Sequence, residues 1–493
     1  MGAWRGKVKA GQNCRKFRHA NYTLCYTPPM GSSSRILPLV VASALFMENM
    51  DSTVIATSLP AMAQDLGTSP VALKLAFTTY LLSLTVFLPI SSWISDRFGA
   101  KLVFRLAIAV FTLSSLACGW APSLTHLVIA RAVQGLGGAM MVPVGRTIIL
   151  RSIPKAELVG ALAWLTVPAL IGPLVGPPIG GFITTYFSWH WIFWMNLPIG
   201  ILGLIMATLF MPESTEVERR PLDVKGFLLS GLGLSFAVFG LSVAGRDLLN
   251  PIETLGFVAV GALMIWAYVR HAEKVEHPIL DLRLITVATL RVSLSAGFFY
   301  RVAAGAIPFL LPLLLQLCFN ATPFQSGLIT CANAFGAIGM KFLAARMLKQ
   351  FGYRHLLLFN GAISCGLMAA MGLFTAVTPL LVIYAVLVFG GLTRSLQFTA
   401  LNSIAYADIR NEDIARANGL YTVVQQVSLA VGVALAAIIL ELSQWLRGTQ
   451  VLDQHDFAAA FIVLALGGLL AIPAFAKLPR DAGAAMSGHR AAS

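Results

Sequence analysis

The stretch that decides the fold is the first long apolar segment, residues 36–62, which reads ILPLVVASALFMENMDSTVIATSLPAM. Its length suits a helix that crosses a bilayer, because about 20 apolar residues span the hydrocarbon core. The segment nevertheless contains two carboxylates, Glu48 and Asp51, three residues apart and so on nearly the same face of a helix. A carboxylate at that depth is costly and by default marks the pathway of an ion or a substrate. The segment therefore predicts a secondary transporter whose first helix carries a proton.

The composition of the chain excludes an ordinary soluble domain. Of its 493 residues, 57% are hydrophobic and only 11% are charged, whereas a soluble domain has about 25% charged residues. The net charge of +14 does not indicate nucleic-acid binding, since most Lys and Arg residues fall in alternate short loops, as in membrane proteins. The six cysteines form no metal-like cluster. We therefore expect a protein embedded in the lipid bilayer, without a bound metal or cofactor.

Apolar runs of membrane-spanning length recur along the whole chain. The loops that carry many basic residues alternate with loops that carry few, and basic loops lie on the cytoplasmic side. An even number of spans then places both termini in the cytoplasm. Hydropathy indicates about fourteen spans, near residues 36–59, 72–94, 102–120, 124–146, 157–184, 190–212, 226–244, 251–271, 290–317, 324–346, 355–375, 379–402, 415–441 and 457–477.

These spans divide the chain into five segments. A short leader from Met30 directly precedes the first span, so Met30 is an alternative start of the chain. The segments are a basic cytoplasmic tail at residues 1–35, an N-terminal six-helix bundle at 36–212, an inserted helix pair with flanking cytoplasmic loops at 213–285, a C-terminal six-helix bundle at 286–477 and a cytoplasmic tail at 478–493.

A weak internal repeat supports the two bundles. The chain reads DRFGAK at residues 96–101 and KQFGYR at residues 349–354, so both stretches share a Phe-Gly-x-basic turn. The two turns fall on the same side of the membrane in the predicted topology. Duplicated halves with a central site between them are an architecture of transporters.

Four motifs occur in order along the first half of the chain. They are DSTVIATSLP at residues 51–60 in the first span, SWISDRFGAK at 92–101 between the second and third, RAVQG at 131–135 in the fourth, and GPLVGPPIGG at 172–181 in the fifth. Together they resemble the motifs of the major facilitator superfamily, specifically of its fourteen-span drug:proton antiporters. The loop motif departs from the family pattern at Ser92 and Ala100, where a glycine and a basic residue are usual.

The resemblance implies an all-α membrane protein with the major facilitator fold, made of two six-helix bundles and an inserted central helix pair. It implies an antiporter of the inner membrane that exports small molecules or drugs by alternating access, driven by protons. Such a protein is a multi-pass monomer, is not an enzyme and needs no cofactor.

Asp51, Glu48 and Arg131 are the candidates for proton coupling or substrate binding. At 1.5 Å per residue, Asp51 lies ~8 Å below the outer edge of the bilayer and Arg131 ~10 Å, so the two are at depths that allow contact. Separation of such a pair would favour proton binding by Asp51. The alternatives are a static ion pair and an aspartate that only holds neighbouring helices. Glu48 has no match in the family pattern and is either a second proton carrier or a substrate contact.

The resemblance assigns a gating role to Asp96, Arg97 and Gly99 in the loop motif. In the family the aspartate binds the N-terminus of a helix in the other half, where the helix dipole favours a negative charge. Breaking that contact opens the inward side. The alternative is that Asp96 is an ordinary residue of the membrane interface.

The fifth-span motif contains glycines four residues apart, which leave one helix face without side chains and favour close helix packing. The resemblance implies that this segment seals the inward side or the interface between the halves and biases the protein toward export. The alternative is packing alone. The motif residues that we assign to this site are Gly172, Gly176, Pro177, Gly180 and Gly181.

Basic residues also occur inside apolar spans of the second half, with Arg301 and Arg394 well inside and Lys341 nearer the cytoplasmic end. Together with Arg131 they outnumber the two buried acids, Glu48 and Asp51, so a cavity of this charge suits an anionic or zwitterionic substrate. The alternative is that each arginine binds helix carbonyls. The charge balance therefore favours a second function, the export of organic acids or metal chelates.

Two other classes of protein are weaker hypotheses. A non-transporting membrane sensor requires a soluble output domain, and a membrane enzyme requires His, Ser or carboxylate side chains clustered near an interface. The sequence indicates neither, since its eight histidines are scattered. The expected partners are a small-molecule substrate, either a drug or an organic anion, together with protons and the lipid bilayer, and no nucleic acid.

Overall fold

The computed structural model describes residues 13–16, 23–26, 33–68, 70–154, 157–212, 221–243, 250–321, 323–449, 451–479 and 481–489. Helices make up most of these residues, as predicted. The strands that it contains lie in the predicted N-terminal tail and form one short antiparallel pair, β1 (Asn13–Lys16) and β2 (Thr23–Tyr26).

The helices of the first half account for the first six predicted spans, and two of these spans are each divided into two helices. The turn after the second span is made by Gly99, whose φ of 86° and ψ of 131° disfavour any residue with a Cβ atom. The helices are α1 (Ser33–Asp65), α2 (Pro70–Phe87), α3 (Ser91–Phe98), α4 (Ala100–Gly119), α5 (Leu124–Ser152), α6 (Leu158–Tyr186), α7 (Trp191–Trp194) and α8 (Asn196–Phe210).

Two further helices follow, α9 (Val224–Val243) and α10 (Pro251–Ala272). They pack against each other where Gly261 of α10 lies against the backbone of Ala237 in α9. The second half then contains α11 (Ala288–Leu317), α12 (Pro323–Gly372), α13 (Leu380–Ile404), α14 (Ile414–Arg447), α15 (Gln454–Leu469), α16 (Ile472–Ala476) and α17 (Ala484–Ser487).

The predicted repeat is visible in the backbone of the two halves. The 50-residue α12 holds two predicted spans that meet at Gly352, where the backbone leaves helical geometry with a φ of 67° and a ψ of 167°. Gly99, the equivalent residue of the first half, also has a positive φ. Both Phe-Gly turns therefore use the freedom of glycine to end one span and begin the next.

The number of helices is consistent with the fourteen predicted spans. Within the described residues, ten helical segments are long and apolar enough to cross a bilayer, and one of them, Gln325–Gly372, contains two predicted spans. The three remaining predicted spans fall in α1, in α2 with α3, and in α6. These helices are 33, 18 with 8, and 29 residues long.

We name the two ends of the helical bundle after one residue each. The Asp96 end holds the end of α3 and the end of α5, and the Asp65 end holds the end of α1 and the start of α10. The two halves meet at the Asp96 end, where Asn418 of α14 donates through Nδ2 to the Pro143 carbonyl (2.7 Å) and to Thr147 Oγ1 (3.1 Å) of α5.

Two further contacts reinforce this closure between the halves. The Trp164 ring of α6 lies edge-on to the Phe342 ring of α12, with centroids 5.8 Å apart. Helix α9 packs on α2 of the first half and on α14 of the second. Helix α9 of the inserted pair therefore contacts both bundles, and α10 packs on α9.

Helix starts at the Asp65 end are capped by side chains. Asn250 forms a capping box with Glu253 at the start of α10, and Asp453 forms one with Asp456 at the start of α15. Arg447, at the end of α14, binds the Asp453 carboxylate and holds the pKa of that carboxyl well below its ordinary value. These contacts pair backbone N–H groups that a helix start otherwise leaves free.

The positive φ of Gly99 makes a prediction about stability. Gly99→Ala should destabilise the protein by about 1–3 kcal/mol, because a Cβ atom is strained in this backbone conformation. The measurement is the midpoint of thermal unfolding of the purified protein in detergent. Gly256→Ala is the matched control, since Gly256 has no atom near its Cβ position and no positive φ. Equal midpoints for the two variants would contradict the strain argument.

Candidate functional site

Asp51 is the centre of a buried polar cluster inside the first half. It lies on α1 with 4% of its surface exposed. Its Oδ2 atom is 2.6 Å from Nη1 of Arg131 on α5, and the Arg131 side chain is fully buried. The structure therefore brings the two charged residues predicted to lie at similar depth into direct contact. An ion pair in this setting balances two charges that would each be costly alone.

Two amide side chains complete the coordination of the Asp51 carboxylate. Gln134 donates through Nε2 to Asp51 Oδ1 at 3.1 Å, and Asn196 of α8 donates through Nδ2 to the same atom at 2.9 Å. Asn196 Nδ2 also donates to Ser115 Oγ of α4 at 2.9 Å. The carboxylate thus links α1 to α5 and α8, and through Asn196 to α4.

Arg131 has contacts on three sides. Its Nη1 atom also donates to Gln134 Oε1 at 2.7 Å, and its guanidinium lies over the Tyr80 ring of α2 at 4.2 Å from the centroid. A cation over an aromatic face is attracted by the ring. Nε and Nη2 of Arg131 have no hydrogen-bond partner among the described residues. The cation therefore retains unused donors beside Asp51.

Glu48 lies one helical turn before Asp51, close enough for the two carboxylates to interact electrostatically. Its Oε2 atom is buried and has no hydrogen-bond partner within the described part of the chain. The hydroxyl of Tyr80, which interacts electrostatically with both carboxylates, is likewise buried without a partner there. The cluster therefore contains two acids and one arginine, and one oxygen of Glu48 has no partner among the residues that the structure describes.

The fifth-span glycines pack against the turn of α1 that carries Asp51. A Cβ atom on Gly172 would lie 3.1 Å from the Met50 backbone nitrogen, and one on Gly176 would overlap Thr53. These two glycines therefore face span one within the same half, while α6 as a whole also packs on α12 and α13 of the second half. The predicted role of the motif in sealing the inward side or the interface between the halves stays a prediction. Gly180 is buried on the same helix. The surroundings of Pro177 and Gly181 lie outside the described residues.

The loop motif lies at the Asp96 end. Asp96 Oδ1 accepts a hydrogen bond from Arg151 Nη2 at 2.9 Å, within the first half. Helix α3, which carries Asp96 and the half-buried Arg97, packs on the first turns of α14, where Gly419 faces Ser92. The motif therefore joins an ion pair inside one half to a helix contact with the other.

The basic residues that the sequence places inside apolar spans of the second half bind neutral groups. Arg301 is fully buried and donates to the Ser293 carbonyl (3.0 Å) and to the Tyr421 hydroxyl (2.6 Å). Arg394 is half-buried and donates to Asn333 Oδ1 (2.7 Å). In the described chain no carboxylate pairs with either arginine. Cation–dipole contacts of this kind position a charge without neutralising it.

Several residues of these clusters were missed by sequence reasoning. Gln134 had a usable signal, because it lies one turn after Arg131 on the same face of the helix. For Asn196 and Ser115 the sequence signal was weak, because they are isolated polar residues in apolar spans. Arg151 was assigned to a loop, so its contact with Asp96 required the three-dimensional structure. No group of three or more His, Cys, Asp or Glu side chains suited to a metal ion is found among the described residues.

Comparison with known proteins identifies the family. The sequence model of the Major Facilitator Superfamily matches residues 41–285 and 293–490, which is nearly the whole chain. The chain belongs to the major facilitator superfamily. Superfamily membership confirms the predicted family and fold class, and the protein is a multi-pass membrane transporter and not an enzyme.

Its relatives within the superfamily include proteins whose name, multidrug resistance protein MdtD, is provisional. The one from Escherichia coli K12 is 36% identical over 450 residues, 90% of this chain and 94% of the relative. The one from Citrobacter koseri is 35% identical over 449 residues, again 90% and 94% of the two chains. The matches cover the chain almost from end to end, so the likeness is not confined to one half.

Two solved structures of the superfamily share the fold. The human organic anion transporter MFSD10 aligns with a TM-score of 0.65 over 91% of this chain and 100% of its own, at 15% identity. The proton:xylose symporter XylE aligns with a TM-score of 0.63 over 92% and 97% of the two chains, also at 15% identity. At this identity the likeness concerns the fold alone.

The buried ion pair makes a prediction about stability. Arg131→Met should destabilise the protein by about 3–5 kcal/mol, because it leaves the Asp51 carboxylate buried without its cation. The double variant Asp51→Asn with Arg131→Met should regain much of that loss, since neither member of the ion pair is then left buried without its partner. Thermal unfolding of the purified proteins measures both effects.

The exposed Arg270 of α10 provides the matched control for this pair. Arg270→Met should unfold at the wild-type temperature. If Arg131→Met unfolded there too, the ion pair would not hold these helices together.

Proposed function

We propose that this transporter exports small molecules across the inner membrane in exchange for protons, with both termini in the cytoplasm and Asp51 as the proton carrier. The observation that supports this most is the Asp51 carboxylate, which lies at membrane depth in contact with Arg131 and two amide donors. Nε and Nη2 of Arg131, which have no partner among the described residues, leave this cation free to bind other acceptors when Asp51 is neutralised. The provisional name of the MdtD relatives supports drugs or drug-like molecules as substrates.

The mechanism follows from the charge of the cluster. When Asp51 is ionised, its charge is balanced by Arg131 and the pair holds α1 to α5. When Asp51 binds a proton, the balance is lost and Arg131 retains Gln134 Oε1 and the face of Tyr80 as partners. A change of charge at the junction of three helices biases their packing, which is how a bound proton can favour one arrangement of the two halves.

Alternating access requires that the halves close at one end and then at the other. In this structure they are in contact at the Asp96 end, through Asn418 and α5 and through the Trp164 and Phe342 rings. We assign this end to the cytoplasm, because the loops here carry most of the basic residues. The inward movement of one proton then supplies about 2.3 kcal/mol per 100 mV of membrane potential, in addition to any pH gradient.

The role of Asp51 can be tested in reconstituted vesicles with ethidium and carboxyfluorescein as probes. Asp51→Asn should lower transport driven by a pH gradient by about tenfold or more, because the amide cannot bind and release a proton. Exchange of the probe across vesicles at equal pH should persist, since exchange requires no net movement of protons.

Glu253→Gln, at the exposed cap of α10, is the matched control for loss of a carboxylate. It should leave both gradient-driven transport and exchange unchanged. Gradient-driven transport that survived in Asp51→Asn would remove Asp51 from the mechanism.

The basic residues of the second half favour a second candidate function, the export of organic acids or metal chelates. Arg301 and Lys341 are buried, and the hydrogen bonds described for them go to neutral oxygens of Ser293, Tyr421 and Thr399. Buried charges without a counter-charge are costly. An anionic substrate between the halves would lower that cost during each transport cycle.

The two candidates differ in the charge of the probe that is transported. If substrates are anions, Arg301→Gln should weaken exchange of carboxyfluorescein by about tenfold or more, since the variant loses a charged donor. Arg270→Gln, on the exposed face of α10, should not change it. Exchange of ethidium alone, with no exchange of carboxyfluorescein in the wild type, would exclude the anion exporter.

A further inference from the structure

A cavity of about 400 Å³ opens at the Asp65 end of the first half. It lies among the ends of α1 and α4 and the start of α7, so it belongs to one bundle and not to the cleft between the two. The residues of its lining that matter here are Asp65, Gly119, Trp120, Pro122, His190 and Trp194.

The floor of this cavity is close to the Asp51 cluster. Gly119 follows Ser115 by one helical turn, which is ~6 Å along α4. Trp194 precedes Asn196 by two residues, and the Trp194 indole lies against Gly119, where a side chain would collide with it. Ser115 and Asn196, the residues that connect α4 and α8 to Asp51, therefore lie within one helical turn of residues that line the cavity.

Two polar atoms in this part of the first half are buried and unsatisfied. Nε1 of Trp194, a donor, and Oδ1 of Asn196, an acceptor, have no hydrogen-bond partner among the described residues. Asn196 is fully buried. Buried groups of this kind are almost always satisfied by protein or by ordered water. A water chain that continues from the cavity past Trp194 to Asn196 would satisfy both atoms and reach Asp51.

The surroundings of Asp51 favour this route over one through the cleft. Its hydrogen-bond partners Arg131, Gln134 and Asn196 all belong to the first half, and it has 4% of its surface exposed. The mouth of the cavity, in contrast, carries titratable groups in contact with solvent. Asp65 has a side chain 56% exposed, and its Oδ2 atom is 3.8 Å from His190 Nε2.

We propose that this cavity is a hydrated vestibule that conducts protons between the Asp65 end and Asp51, separately from the substrate path between the halves. The proposal rests on the proposed role of Asp51 as the proton carrier. A hydronium ion at the mouth gives up a proton, each water along the path exchanges one O–H bond for another, and the Asp51 carboxylate gains the final O–H bond. Asp65 and His190 collect protons at the mouth. Nε1 of Trp194 donates a hydrogen bond to a water of this path and so positions the waters. The side-chain Oδ1 of Asn196 accepts a hydrogen bond from another water of the path.

The test introduces a thiol that can be modified reversibly at the mouth of the vestibule. Pro122→Cys places it on an exposed residue of the lining. Val377→Cys is the matched control, because Val377 is 89% exposed in a turn at the same end of the second half. Each protein is treated with an anionic and with a cationic methanethiosulfonate reagent, and then with a reductant that removes the group.

The readout is protonation of Asp51 itself, which requires no substrate. Infrared difference spectroscopy after an acid jump follows the carboxyl band that is lost in Asp51→Asn. We expect both reagents to slow its appearance by about tenfold or more in Pro122→Cys, because protons reach a buried carboxylate through water. Reduction should restore the rate. Wild type and Val377→Cys should show no change with either reagent, which also controls for the native cysteines.

Trp194→Phe separates the role of the indole N–H from that of the ring. It retains an aromatic ring over Gly119 and should slow protonation of Asp51 in the absence of any reagent. A modified Pro122→Cys protein that protonates Asp51 at the unmodified rate would overturn the vestibule and leave Asp51 as the carrier. A protein whose Asp51 band never responds to acid would overturn the proposed function and the vestibule with it.

Discussion

The first half of this transporter is built around one charge that cannot remain in hydrocarbon alone. Asp51 is tolerated at membrane depth because Arg131, Gln134 and Asn196 surround it, and each of these lies on a helix other than α1. The requirement to satisfy one carboxylate therefore fixes the mutual rotation of these helices. The glycines of α6 serve the same requirement, since Gly172 and Gly176 let α6 approach the turn of α1 that carries Asp51.

The two halves share an architecture but differ in electrostatics. The first half pairs the buried Arg131 with a carboxylate, whereas the second holds Arg301 with hydrogen bonds to neutral oxygens. Under the proposed function this difference is a division of labour, in which one half binds the proton and the other offers charge to the substrate. The two binding events then act on the same rocking motion without competing for the same side chains.

The sequence is sufficient to predict the parts of the structure that follow from one helix at a time. Hydropathy gives the spans, and the rise per residue gives the common depth of Asp51 and Arg131. Contacts that depend on which helices are neighbours cannot be obtained this way. The glycine face of α6 was predictable, but its packing partner was not, and the pairing of Asp96 with Arg151 depends on how α3 and α5 end beside each other.

Asp51 is buried inside one bundle and the two halves are closed at the Asp96 end, so protons need a defined route to reach this carboxylate. A proton carrier enclosed within one bundle cannot exchange protons through the central cleft unless the bundle opens as well, and bundles in this architecture move largely as rigid bodies. An aqueous path inside the first half removes that difficulty, because access to Asp51 then depends on the small layer at Trp194 and Gly119. Asn196 connects that layer directly to Asp51, so a change in the charge of Asp51 acts on the layer without opening the bundle. Proton access and substrate access can therefore follow separate routes within one transport cycle.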